Sequence, residues 1–237
     1  MQIKEILIDS IIYPTKSLKV SWVFMILAIL MGIIAITPFY LEIGEGNVNI
    51  AIKIGLMFLV CLLSLGFFLL TQGYSLEILK ESILESNETP KLNISRQIAN
   101  SKKILVVNIV YFIIPSIISF FIGIILQLWI VPILGVLISL IFFLATTMAE
   151  CRLAKMGNLM NALNFVGTIR DIHAIGFEKV FLTMLTIIIV TILSFLIVLG
   201  VSWYFGSNLL TSIMVSILGV YMLFFSKRAI GLLYSEI

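Results

Sequence analysis

The chain has 237 residues, of which 61% are hydrophobic and only 11% are charged, whereas about a quarter of the residues of a typical soluble domain are charged. Its mean hydropathy is +1.21. The net charge of +3 excludes the strongly basic surface that nucleic-acid binding requires. This composition predicts a polytopic membrane protein and leaves no stretch for a soluble catalytic domain.

Six uncharged apolar runs follow one another along the chain, and each is long enough to cross a hydrocarbon core of about 30 Å as a helix. The predicted spans are 20–41, 54–72, 104–126, 131–149, 180–202 and 209–225. None of them alternates polar and apolar residues as a barrel strand does. We therefore predict an all-α protein with six transmembrane helices that form a single polytopic membrane domain over residues 1–237.

Basic residues divide unequally between the two sides of this predicted topology. Lys53 lies on one side, and the other 14 of the 15 Lys and Arg residues lie on the opposite side. An excess of Lys and Arg marks the cytoplasmic side of a membrane protein. The sequence thus predicts a multi-pass protein of the cell membrane with its N- and C-termini in the cytoplasm.

The polar segments on the predicted cytoplasmic side show helical periodicity. In the segment before the fifth span, Asn161, Asn164, Thr168 and Asp171 share one face of a helix, and Gly176 is placed to end that helix. Amphipathic helices beside spans lie in the membrane interface, with their apolar face among the acyl chains. We expect cytoplasmic interfacial helices of this kind around the spans.

A weak threefold pattern connects these segments. Each pair of predicted spans is preceded by an amphipathic segment with Lys near its end and is followed by a short polar helix. Internal repeats are frequent in polytopic membrane proteins. The pattern favours three helical-hairpin repeats packed about a common axis.

Polar residues on the same side form a candidate interaction surface for a protein partner. Carboxylates one turn apart on a single helix seldom converge on one cation, so we predict no metal site among them. The candidate cytoplasmic interaction surface consists of Glu77, Glu81, Glu85, Asn161, Asn164 and Asp171.

The predicted spans contain no Asp, Glu, Lys, Arg or His. Proton-coupled transporters keep such groups at membrane depth, so the sequence disfavours proton coupling. Asn108 and Pro115 in the third span mark a candidate cavity or kink, because a proline inside a helix frees a backbone carbonyl. These two residues leave open the transport of a small neutral or amphipathic solute.

Catalytic motifs are missing from the sequence. It contains no phosphate-binding glycine loop, dinucleotide fingerprint, CxxC pair or hydrolase signature. We therefore predict that the protein is not an enzyme and binds no cofactor. If it acted on lipid headgroups, Glu150, Asp171 and His173 would be the only plausible acid and base groups.

Four short runs carry a family resemblance. They are GY…KES at 73–82, YFIIP at 111–115, MAE…LNF…IGF at 148–177 and RAIG at 228–231. In their order they resemble the family catalogued as domain of unknown function 4013. The resemblance implies a multi-span membrane protein of the kind found in methanogenic archaea, and it implies no reaction.

One segment departs from that family. Its members usually have an acidic and aromatic cluster after a Leu-Pro pair, whereas here Thr89-Pro90 is followed by Lys91-Leu92-Asn93. The resemblance therefore transfers no role to this segment.

Taken together, these observations favour a non-enzymatic membrane component that organises lipid or protein. The predicted partners are membrane lipids and a protein on the cytoplasmic face or a second copy of the chain, and no nucleic acid is expected. Transport of a small neutral or amphipathic solute is the alternative.

Overall fold

The computed structural model of the chain describes residues 2–16, 18–43, 50–86, 88–126 and 131–237. Over these residues the fold is entirely helical and contains no strand. The helices are α1 (Ile3–Lys16), α2 (Leu18–Ile43), α3 (Ile50–Ile83), α4 (Ile94–Asn108), α5 (Ile114–Leu126), α6 (Val131–Met156), α7 (Leu159–Ala162), α8 (Phe165–Ile175), α9 (Phe177–Phe205) and α10 (Asn208–Tyr234).

Several of these helices are long and apolar enough to cross a membrane. Within the described residues there are four such segments, namely Ile54–Ile83, Ile94–Phe121, Phe177–Phe205 and Asn208–Tyr234. A fifth results if α1 and residues 20–35 of α2, which meet at an angle of 77°, are counted as one broken span. The protein is thus an all-α membrane protein with four to five candidate spans.

Three predicted spans fall partly outside this comparison, one of them because the side chains of residues 124–126 in the predicted span 104–126 lie outside the described ones. Helix α6 covers the predicted span 131–149, but the side chains of residues 131–140 lie outside the described ones. The same is true of residues 36–41 at the end of the predicted span 20–41.

The short polar helices expected after each pair of spans are not separate elements, which corrects that prediction. Helix α3 continues without a break from Ile50 to Ile83, and α6 and α10 likewise run on to Met156 and Tyr234. No proline interrupts these ends, and their side chains are buried on nearly all sides. Packing in the protein interior therefore stabilises a continuous helix where the sequence suggested a change of element.

The ends of these three helices form the best-packed part of the molecule, which we call the polar-core bundle. It comprises residues 71–83, 144–156 and 220–234, surrounded by α1, the first turns of α4, α7 and α8. Apolar side chains such as Leu79, Met148 and Leu233 are completely buried there. The described spans outside the bundle differ, because few of their large apolar side chains are buried, as expected for the lipid-facing surface of a membrane helix.

Helix α8 ends where its sequence predicts but begins later, because the stretch expected to be one helix over residues 161–171 is divided after Ala162, where α7 ends. The Asn164 side chain caps α8 by accepting a hydrogen bond of 3.0 Å from the backbone N–H of Gly167. Gly176 ends it with a φ of 101°, a conformation that a residue with a side chain rarely adopts. The two caps fix the two ends of α8, and Gly176 forms the turn that leads into α9.

Candidate functional site

Charged side chains occupy the interior of the polar-core bundle. Arg152 of α6 donates a hydrogen bond of 2.8 Å to the carboxylate of Asp171 in α8, and the Tyr234 hydroxyl donates another of 2.6 Å to the same oxygen. The Nε of Arg152 also donates to the carbonyl oxygen of Asn161 at 3.0 Å. Because the arginine and the carboxylate are both buried, this cluster ties α6, α8 and α10 together away from water.

A second buried arginine joins the two ends of the chain. Arg228 of α10 is 2% exposed and donates from Nε to Asp9 of α1 at 2.9 Å. Its Nη1 donates to the carbonyl oxygen of Ser86 at 2.6 Å, and its guanidinium lies 4.8 Å from the centre of the Tyr13 ring. The planar guanidinium thus contacts three neighbouring groups at once, which the single ammonium of a lysine could not do.

Two further ion pairs connect α10 and the C-terminus to other elements. Lys227 pairs with Glu150 of α6, and both side chains are buried. At the surface, Lys179 donates to both carboxylate oxygens of Glu236, at 2.6 and 2.7 Å. Burial acts to raise the pKa of Glu236, but the hydrogen bond and charge of Lys179 outweigh it, and the pKa is lowered.

The predicted surface residues separate into buried and exposed groups. Glu77 and Asp171 are buried, and each is paired with an arginine. Glu81 is half-buried, and Glu85 is exposed and accepts a hydrogen bond of 3.0 Å from the Ser235 hydroxyl. The remaining two, Asn161 and Asn164, are exposed.

The polar face of α8 packs against the protein instead of facing water. Thr168 and Asp171 point into the bundle, whereas Val166 is 77% exposed and Ile169 is 39% exposed. The close approach requires Gly167, since a Cβ there would lie 2.7 Å from the Arg152 guanidinium. The polar face of α8 therefore packs in the interior of the bundle, and its apolar face is exposed.

The helices α1 and α4 also expose apolar side chains, although each buries others, such as Ile6 and Ile104. In α1 the Ser10 side chain is buried while Ile8 and Ile11 are exposed. In α4 the Gln97 side chain is buried while Ile94 is exposed. All three helices that precede a predicted pair of spans thus turn apolar side chains outward.

The candidate kink in the third predicted span coincides with an irregular turn. Residues Ile109–Ile113 between α4 and α5 form a π-helical turn, flanked by Asn108 and Pro115. Pro115 lacks the N–H that would continue the α-helical hydrogen bonds, which favours such a local change. The turn directs Tyr111 inward, where its hydroxyl donates to the carbonyl oxygen of Ala162 at 3.0 Å.

The open cleft in the polar-core bundle has a volume of about 360 Å³. Its walls come from α3, α4 and the segment 88–91, and its floor includes the buried Leu76 and Leu153. One wall is fixed by Glu77, which accepts two hydrogen bonds from Arg96, at 2.7 and 2.8 Å, and one from Asn100 at 3.3 Å.

Four charged side chains in this cleft stand apart from that network. They are Lys80, Glu81, Glu88 and Lys91. In the described part of the chain, none of the four side chains takes part in an ion pair or a side-chain hydrogen bond. Apart from Lys103, whose ammonium donates to the Gly157 carbonyl oxygen, the cleft therefore presents two ammonium groups and two carboxylates to a ligand.

Gln97 of α4 is a buried polar side chain whose amide oxygen and nitrogen have no hydrogen-bond partner among the described residues. An unpaired buried polar group costs about 1–3 kcal/mol. We expect Gln97→Met to raise the free energy of unfolding in detergent micelles by about 1 kcal/mol, measured by denaturant titration. Gln2→Met, at an exposed position, is the control and should leave it unchanged. A less stable Gln97→Met variant would mean that the amide has a partner in the membrane.

The sequence interpretation did not identify Arg152, Lys227, Arg228 and Asp9 as members of a buried network. A signal was nevertheless present for two of them. Arg152 and Arg228 each stand in a helical stretch whose neighbours are mostly apolar, a composition typical of a helix buried on every side. Charged residues in such a stretch must be paired in the interior.

Comparison with known proteins places the chain in a family. A family model described as "Protein of unknown function (DUF4013)" matches residues 56–225. The chain belongs to the DUF4013 family. The matched region includes the cleft-forming parts of α3 and α4 and all of α6 to α9, whereas α1 lies before it. No curated protein and no solved structure matches the chain.

Proposed function

We propose that the protein is a non-enzymatic membrane component that organises lipid next to its spans. The observation that carries this proposal is the outward-facing apolar surface of α1, α4 and α8, which we call the apolar collar. It consists of the exposed side chains Ile8, Ile11, Ile12, Ile94, Ile98, Phe165, Val166 and Ile169. Exposed apolar side chains grouped on a helix in this way mark a protein or membrane contact.

Lipid rather than water is the natural neighbour of the collar. Helix α8 is followed by the candidate span Phe177–Phe205, α4 begins the candidate span Ile94–Phe121, and α1 forms a bent pair with residues 20–35 of α2. These segments also expose apolar side chains. Basic residues accompany the collar, since Lys4, Lys102 and Arg170 are exposed on α1, α4 and α8. Apolar faces flanked by Lys and Arg are typical of helices that lie in the interface of a membrane with anionic lipids.

The proposal includes six spans with both termini in the cytoplasm and the collar at the cytoplasmic interface. The distribution of Lys and Arg supports this orientation.

A threefold arrangement of hairpins is part of the same proposal. Three ion pairs support it, because each joins a helix that precedes a pair of spans to the end of another hairpin. They are Asp9–Arg228, Glu77–Arg96 and Asp171–Arg152. The first of them links the beginning of the chain to its last helix, so the three contacts form a closed ring.

The proposal is tested by lipid enrichment around the reconstituted protein. Energy transfer from a donor dye on a C-terminal tag to labelled anionic lipid reports how much lipid collects near the protein. We expect enrichment above the random level for the native chain. Val166→Glu should lower it several-fold, because a carboxylate replaces apolar contact worth about 1.5 kcal/mol or more with the acyl chains.

Asn161→Glu is the matched control, since it adds the same charge at an exposed polar position nearby. Random lipid around the native chain, or equal loss in both variants, would contradict the proposal. Native mass spectrometry of the gently extracted protein adds a second readout. A bound non-lipid solute found there in place of lipid would favour the transport alternative.

A further inference from the structure

The cleft between α3, α4 and the segment 88–91 carries an inference about ligand chemistry. Its four unpaired charges are of both signs, with Lys80 and Lys91 as cations and Glu81 and Glu88 as anions. A site for a simple anion or a simple cation would place like charges against its ligand, and such contacts are unfavourable. The lining instead complements a ligand that carries both charges.

We propose that this cleft binds a small zwitterionic group with a primary ammonium and a phosphate. The phosphate contacts Lys80 and Lys91, and the ammonium contacts Glu81 and Glu88. A primary ammonium donates up to three hydrogen bonds, which suits two carboxylates, and a phosphate accepts from several cationic donors. The volume of about 360 Å³ lies at the lower end of the range of small-molecule sites.

The walls of the cleft are held in place without a ligand. The Tyr74 hydroxyl donates to the carbonyl oxygen of Pro90 at 3.1 Å and so anchors the segment that carries Glu88 and Lys91. Lys103 donates to the carbonyl oxygen of Gly157 at 3.1 Å, which joins α4 to the end of α6. A preformed site loses less conformational freedom on binding and so binds more tightly.

Two sources can supply such a group, namely a lipid headgroup and a free metabolite. The exposed apolar face of α3 reaches Phe68, and the cleft begins about two turns further along the same helix at Leu76. This continuity favours the headgroup of an aminophospholipid. Only the lipid source rests on the proposed function, because binding of a free molecule requires no lipid organisation.

The test measures binding of glycerophosphoethanolamine to the full-length protein in detergent micelles by isothermal titration calorimetry. Ethanolamine and glycerol phosphate each carry one half of the group. We expect saturable binding at one site per chain and binding of either half that is at least about tenfold weaker. Equal binding of glycerol phosphate alone would overturn the zwitterion assignment, and absence of binding by all three would overturn the site.

Variants locate the binding in the cleft. Lys91→Gln and Glu81→Gln should each weaken binding by about tenfold, because each removes one charge-assisted hydrogen bond. Lys102→Gln and Glu178→Gln change the same residue types at exposed positions outside the cleft and should stay within about twofold of the native chain. Equal affinities in all four variants would overturn the assignment to this cleft.

A second arm separates the two sources. The protein is extracted from nanodiscs that contain phosphatidylethanolamine and is examined by native mass spectrometry. Retained phosphatidylethanolamine that is lost in Lys91→Gln supports the lipid source, whereas binding of the soluble compound alone supports the free molecule. Because this readout does not involve the apolar collar, the Val166→Glu experiment can fail while the cleft still binds, and the reverse also holds.

Discussion

Replacing Gly73 with alanine is expected to separate α3 from α4 and to lower the free energy of unfolding by about 3 kcal/mol. A Cβ at this position would overlap the backbone carbonyl of Gln97 and lie 2.8 Å from the Gln97 Cα. Backbone atoms cannot move aside as the end of a flexible side chain can, so one of the two helices must shift. The measurement is denaturant unfolding of the full-length protein in detergent micelles.

Gly66→Ala is the matched control in the same helix. A Cβ at Gly66 would have no neighbouring atom within 4 Å, so the change should leave stability unchanged or raise it by up to about 1 kcal/mol through helix propensity. If both variants unfolded alike, the close contact between α3 and Gln97 would not exist. The same displacement should weaken ligand binding in the cleft, because Glu77 lies one turn after Gly73 in α3 and its partner Arg96 directly precedes Gln97 in α4.

Removing one member of the buried ion pair between α6 and α8 should have the second large effect. We expect Arg152→Met to lower the free energy of unfolding by about 3–5 kcal/mol, because Asp171 is then buried without its cationic partner. The double variant Arg152→Met/Asp171→Leu removes both charges and should recover most of the loss.

Arg170→Met is the control for this pair, since Arg170 is exposed on the same helix as Asp171. Its effect should lie within about 0.5 kcal/mol. A double variant as unstable as the single one would show that the polar interior is required for packing rather than for charge balance. Both results are read from denaturant titrations under identical micelle conditions.

The helical character of the chain follows directly from its sequence. Long apolar runs without charges predicted membrane-embedded helices, and the chain is an all-α membrane protein of the DUF4013 family. The end of α8 at Gly176 was predicted correctly as well. These features depend on local composition and on the φ that glycine permits, so no tertiary information is needed to find them.

The sequence analysis expects the apolar faces of the amphipathic helices to meet acyl chains, but it does not expect the polar face of α8 to pack inside the protein. Periodicity divides Val166 from Asp171 on α8, but it does not say which face meets the protein. Beside a membrane, an apolar face can meet lipid while the polar face packs inward. In the structure, Arg152 of α6 binds Asp171 and so holds the polar face of α8 inward, a contact between two helices that periodicity within α8 does not reveal.

The cleft itself was not predicted, although two of its lining residues belong to the predicted interaction surface. Glu77 and Glu81 were assigned to a surface because they follow one another at helical spacing, and both do line the cleft. Their counterparts Lys91 and Arg96 belong to the segment after α3 and to α4. These side chains come together only because of the way α3 and α4 cross. The spacing of residues within one helix does not predict that crossing.

The unbroken course of α3 has a mechanical consequence. Its 34 residues make a rod about 50 Å long, which exceeds the hydrocarbon thickness of about 30 Å. A helix tilts when the bilayer becomes thinner than the apolar stretch of that helix. A tilt of about 10° about the far end would displace the other end, where Glu77 and Glu81 lie, by about 9 Å. The other wall, α4, is separated from α5 by the π-helical turn. We therefore expect the two walls of the cleft to move by different amounts when the bilayer thickness changes.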